Sequence, residues 1–98
     1  METLSEAVVR LEAAGYRDAF RPDAGRLWAA AAKRFFSPEE LVIEEVVRFE
    51  GESDPGDEAI LLALRSRAGD VRGTLATGYG ANADPASAEI VRRLARGG

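Results

Sequence analysis

Apolar and polar positions recur along the chain with two different periods, and the change of period marks out its elements. Leu4, Ala7, Val8, Leu11 and Ala14 fall on one face at three- and four-residue steps, which predicts an amphipathic first helix. Thr3 and Glu6 have the spacing of a capping box, Glu6 and Arg10 stand at i and i+4, and Gly15 can take the left-handed position beyond the last turn. Tyr16 to Arg21 reads as a short extended segment, followed by a turn at Pro22-Asp23-Ala24-Gly25. For Arg26 to Phe36 two readings stand side by side. The alanines Ala29 to Ala32 favour helix, whereas the position between a turn and Ser37-Pro38 suits a strand or a knuckle.

Ser37, Pro38 and Glu40 combine an N-cap, a proline at the first helical position and a capping-box glutamate, so one short helical turn is predicted there. From Val42 the period becomes two, with Ile43, Glu45, Val47 and Phe49 on one side of a strand and Val42, Glu44, Val46 and Arg48 on the other. A polar turn from Gly51 to Gly56 leads to two more strands, Ala59 to Arg65 and Val71 to Gly78, joined at Ala68-Gly69-Asp70. Asp84 and Pro85 open a last helix, with Ile90, Val91, Leu94 and Ala95 as its apolar stripe and Arg92, Arg93 and Arg96 placed for its C-terminal dipole. The expected fold is α+β: an N-terminal helix, an irregular β segment, a three-stranded antiparallel meander and a C-terminal helix. Both helices are expected against one face of the sheet, giving two layers.

Composition narrows the picture. The chain of 98 residues fits a single domain, 1–98, and 46% apolar against 31% charged residues is the balance of a folded protein. Cysteine and histidine are absent, which removes disulfides, thiolate nucleophiles, Cys/His zinc sites and imidazole acid–base chemistry. No apolar run has bilayer-spanning length and no basic-then-apolar signal opens the chain, so a cytoplasmic protein without a membrane partner is expected. The net charge of −4 argues against nucleic-acid binding, but it is unevenly spread. Between Ser37 and Glu58 nine acids face one base, Arg48, a segment charge of −8 that leaves +4 for the remainder.

The run Arg48-Phe49-Glu50-Gly51-Glu52-Ser53-Asp54-Pro55-Gly56-Asp57-Glu58-Ala59-Ile60 resembles the signature of a small uncharacterised bacterial family of about the same length. Gly15-Tyr16, Pro38-Glu39-Glu40 and Tyr79-Gly80 match its other motifs, so the resemblance covers the whole chain. Gly56 and Val47 depart from the pattern, which often has Asp and Tyr there. Some members carry the label phosphoribosylpyrophosphate synthetase, but synthetases proper are much longer and contain a phosphoribosyl-binding loop that has no counterpart in this sequence. Some relatives place a Cys-x-x-Cys in each of two turns, as zinc ribbons do. The matching positions here are Ala29 and Ala32, and Ser66 and Gly69, so the resemblance implies a knuckle architecture without its metal.

The candidate ligand-binding residues are Arg48, Glu50, Asp54, Asp57, Glu58 and Tyr79. Acids converging from one loop could hold a hard cation, although the spacing is not that of an EF-hand, and the favoured reading of the same loop is a turn at Asp54, Pro55 and Gly56, capping by Asp57 or Ser53 and a solvated acidic surface. Arg48 and Glu50 share one strand face, fit to form an ion pair or to hold a carboxylate or phosphate. Tyr79 between two glycines could stack on a ligand. The bases and aromatics of Arg26, Trp28, Lys33, Arg34, Phe35 and Phe36 interleave as in single-stranded nucleic-acid binders, but core packing of Trp28 and Phe35 is the expectation. No nucleophile–base pair or phosphate loop can be assembled, so no catalytic residue, metal site or cofactor is assigned. The sequence therefore points to a non-catalytic binding or interaction module whose acidic loop, residues 50–58, recognises a basic protein partner or a small ligand. The alternative is a small enzyme using carboxylates, Arg48 and Mg²⁺ on a phosphorylated metabolite.

Overall fold

The computed structural model of the chain describes residues 2–49, 59–78 and 85–97. Helix α1 (Leu4–Ala13) begins at the predicted capping box: Thr3 Oγ1 accepts from the Glu6 N–H and Glu6 Oε1 from the Thr3 N–H. Gly15 follows its end at φ +110°, as the sequence implied. Arg10 does not pair with Glu6. It reaches Glu2 at 2.7 Å and Glu45 at 2.8 Å, because the sheet beside α1 presents a second carboxylate to it.

Three short strands follow, β1 (Asp18–Asp23), β2 (Arg26–Ala29) and β3 (Arg34–Phe36), paired as an antiparallel meander. The first connection is tighter than expected: β1 runs to Asp23, and only Ala24 and Gly25 turn the chain, at φ +51° and +79°. Positive φ at both central residues is the signature of a type I′ hairpin. The second connection resolves the ambiguity at Ala29 to Ala32 in favour of the knuckle-like hairpin. The buried Asp18 carboxylate accepts from the N–H groups of Ala19 (2.8 Å), Ala31 (2.7 Å) and Ala32 (3.0 Å). A desolvated carboxylate must have donors, and this requirement outweighs the tenths of a kcal/mol per residue, roughly, by which alanine favours helix.

The predicted helical turn is a 3-10 turn at Pro38–Glu40, with Glu40 accepting from the Ser37 N–H at 3.0 Å. Strands β4 (Leu41–Phe49), β5 (Ala59–Ser66) and β6 (Arg72–Gly78) then form the expected antiparallel meander, and helix α2 (Pro85–Gly97) closes the order. The two meanders make one six-stranded mixed sheet, β3-β2-β1-β6-β5-β4. Their joint is a single parallel pair of two residue couples, Asp18↔Gly73 and Ala19↔Thr74. A Cβ built on Gly73 would lie 2.7 Å from the Asp18 carbonyl carbon and 2.9 Å from its Cβ, so the approach requires glycine.

The α+β class and element order hold, but the helices do not share a face. Every position of β5 from Ile60 to Leu64 is buried, and its residues divide by parity. Ile60, Leu62 and Leu64 join Phe20, Leu27, Phe36, Leu41 and Leu75 around Ile90 and Leu94 of α2. Leu61 and Ala63 join Ala7 and Leu11 of α1. An uninterrupted apolar strand needs cover on both sides, so the expected two layers become helix, sheet and helix. The side assignment of β4 changes as well. A bulge at Glu44, between the couples Ile43↔Leu64 and Glu45↔Ala63, inverts the parity, so Ile43 packs with the α2 core and Val47 and Phe49 with the α1 core.

Two stability changes are expected. Ala24→Asn relieves a non-glycine residue of positive φ and should stabilise by about 1 kcal/mol, raising Tm by about 5 °C in a thermal melt. Gly73→Ala should destabilise by about 3 kcal/mol in denaturant unfolding, since its methyl meets backbone that cannot yield.

Candidate functional site

Of the candidate set, Arg48 alone falls among the described residues; Glu50, Asp54, Asp57, Glu58 and Tyr79 lie outside them. Arg48 stands opposite Ile60 and is exposed, and it makes no ion pair with any described residue. The sequence placed the strand ends that flank the set correctly. Phe49 pairs with Ala59 and Ala59 with Gly78, so three ends lie side by side at one margin of the sheet. From them the chain continues into Glu50, from Glu58 and into Tyr79.

Four acids of the acidic segment, Glu39, Glu40, Glu44 and Glu45, fall among the described residues. All four are committed to partners within the fold. Glu39 binds Arg93 of α2 at 2.6 Å, and the guanidinium holds its carboxyl below the ordinary range. Glu40 caps the 3-10 turn, and the Ser37 backbone N–H lowers it likewise. Glu45 binds Arg10. Glu44 accepts from the Tyr16 hydroxyl at 2.8 Å and from Arg65 Nε at 3.1 Å, while the Arg72 guanidinium lies 5.9 Å from the centre of the Tyr16 ring. These bonds hold the Glu44 carboxyl down, with the Tyr16 bond the larger cause; the same bond, followed by burial, pushes the Tyr16 phenol up. The bulge makes this possible, because it turns Glu44 toward α1 while Glu45 keeps the sheet pairing.

At another margin the turn at 30–33 and the turn between β5 and β6 line one cleft of about 340 Å³, with Asp18, Ala31, Ala32, Asp70 and Arg72 in its walls. Arg34 binds Asp70 across the turns at 3.0 Å, and Asp70 accepts from the buried Ser66 hydroxyl at 2.7 Å. Ala29 and Ser66 are buried, Ala32 packs against the larger core, and Gly69 takes φ +81°. Among the described residues no cluster of three or more acids has the placement of a metal site.

Of the two residues expected in the core, Phe35 is on the surface and Trp28 is half-buried, and neither belongs to a core cluster. Phe36 is buried and meets Phe20 edge to face at 6.0 Å, but Phe35 is 41% exposed and Trp28 is half-buried. The signal was present in the sequence: within Arg26-Leu27-Trp28-Ala29 and Arg34-Phe35-Phe36, period-two alternation sets Leu27, Ala29 and Phe36 inward and Trp28 and Phe35 outward. Comparison of the chain with protein-family models, with curated proteins and with solved structures finds no significant match in any of the three.

The Tyr16–Glu44 bond generates a two-sided pH dependence. The depressed Glu44 contributes stability above its ordinary value of 4.5 and loses it as pH falls through the folded value. The raised Tyr16 contributes below its ordinary 10.0 and loses it as pH rises through the folded value. Tyr16→Phe should therefore cost about 1 kcal/mol between these limits, after allowance for solvent screening, and the difference from the unaltered protein should fade at both ends of a pH series of urea melts.

Proposed function

We propose that the chain is a non-catalytic binding module that recognises a basic protein partner or small ligand through the acids of residues 50–58. The observation that carries this reading is the register Phe49↔Ala59↔Gly78, which sets the ends leading to those acids and to Tyr79 beside one another, next to Arg48. The charge census supports it. Glu39, Glu40, Glu44 and Glu45 are engaged inside the fold, whereas Glu50, Glu52, Asp54, Asp57 and Glu58 follow one another without an intervening base. A dense run of one sign attracts a partner of the other and sets its approach.

Calorimetric titration with a lysine-rich peptide, and with Mg²⁺ alone and with a sugar phosphate, tests the reading. Binding of one of these should weaken severalfold in the double variant Asp54→Asn/Asp57→Asn, with a stability change of no more than about 0.5 kcal/mol, as for surface substitutions generally. Loss of folding stability in the variant would instead mean that the two side chains cap the turn, and unchanged binding would remove the loop from recognition.

A further inference from the structure

The open face of the β1–β2–β3 meander belongs to different strands from the acidic margin and has no part in the reading above. Register places Arg21, Trp28 and Phe35 in one row across the three strands, with Asp23 and Arg26 in the next. The Trp28 and Phe35 rings are 4.8 Å apart, and the Arg26 guanidinium sits 4.3 Å above the Phe35 ring. The two rings are tilted by 57° to one another, so they offer separate aromatic planes, one of them topped by a planar cation, on which flat rings can stack. The α1 core takes no residue from these three strands, so the helix on this side of the sheet leaves the row uncovered.

The charge here is opposite in sign to that of the whole protein. Arg17 just before β1, Arg21 on β1, Arg26 on β2 and Lys33 in the adjoining turn are all exposed, with Asp23 as the accompanying acid. None of the four cations makes an ion pair with a described residue. We propose that this face binds single-stranded nucleic acid, with bases stacked on Trp28 and Phe35 and phosphates held by Arg21, Arg26 and Lys33. Cations alone would answer any polyanion; the exposed Phe35 ring with the half-buried Trp28 ring beside it selects one that carries unpaired planar rings. An acidic protein leaves the rings unused, and a duplex keeps its bases stacked inside.

Trp28 is the sole tryptophan, so its fluorescence reports stacking directly. The full chain would be titrated at low salt with a fluorescently labelled oligodeoxythymidylate, a duplex of equal length, inorganic polyphosphate and polyglutamate. The oligonucleotide should bind and quench Trp28, and three phosphate contacts at roughly −0.7 each give a log–log salt slope of about −2. Phe35→Ala should weaken binding about tenfold, the loss of one stacked base. Arg21→Glu, an exposed change that leaves packing intact, should weaken binding and flatten the slope by about 0.7. Absence of oligonucleotide binding at low salt overturns the proposal. So does equal binding of polyphosphate or polyglutamate without quenching, which would make this face a site for an acidic protein or a general anion.

Discussion

The architecture hangs on the close approach of Asp18 and Gly73. Each three-stranded meander is held by pairings near in sequence, but what makes them one sheet is two residue couples of parallel strand. The Asp18 backbone meets the strand of the second meander where the partner has no side chain, and its carboxylate turns back to hold the 30–33 turn of the first. One residue therefore fixes both the joint between the meanders and the shape of the outer hairpin. Its donors are backbone N–H groups, which any residue other than proline can supply, so this bonding constrains Asp18 and Gly73 and not the side chains of the donors, of which Ala32 is held separately by its packing against the core.

Around that joint the charges are sorted by location. The arginines that face the acidic segment, Arg10, Arg65 and Arg93, come from α1, β5 and α2, and each meets a glutamate from the stretch around the start of β4. Exposed ion pairs of this kind contribute little individually. Their effect is selective, because they consume opposite charges between elements that must touch and leave a cationic surface on β1 and β2. The net charge of the chain conceals this separation.

Local elements were legible because their signals are local. The capping boxes of Thr3 and Ser37, the period-two run of β4 and the hairpin at Gly69 each depend on residues a few positions apart. The parallel joint was not legible, since nothing near Asp18 announces a glycine far along the chain. The bulge at Glu44 was hidden for a related reason: an inserted residue preserves apparent alternation while exchanging the faces, and only the partner strand reveals it. Trp28 and Phe35 were misplaced because strands of four and three residues are too short for periodicity to outweigh the general preference of large rings for burial. Of the candidate set only Arg48 falls among the described residues, and what the structure adds is the side-by-side placement of the strand ends at Phe49, Ala59 and Gly78.

The parallel joint also carries a kinetic consequence. Asp18 and Gly73 are separated by most of the chain, whereas β1 with β2, β2 with β3, and β5 with β6 are joined by connections of a few residues. Closing the long loop is entropically expensive until both meanders exist to reward it, so the joint belongs to the late part of assembly. Before it closes, the inner edges of β1 and β6 are unpaired strands of the kind that recruit other chains. The single glycine that permits the joint thus governs how long those edges stay open, and with it the balance between folding and aggregation.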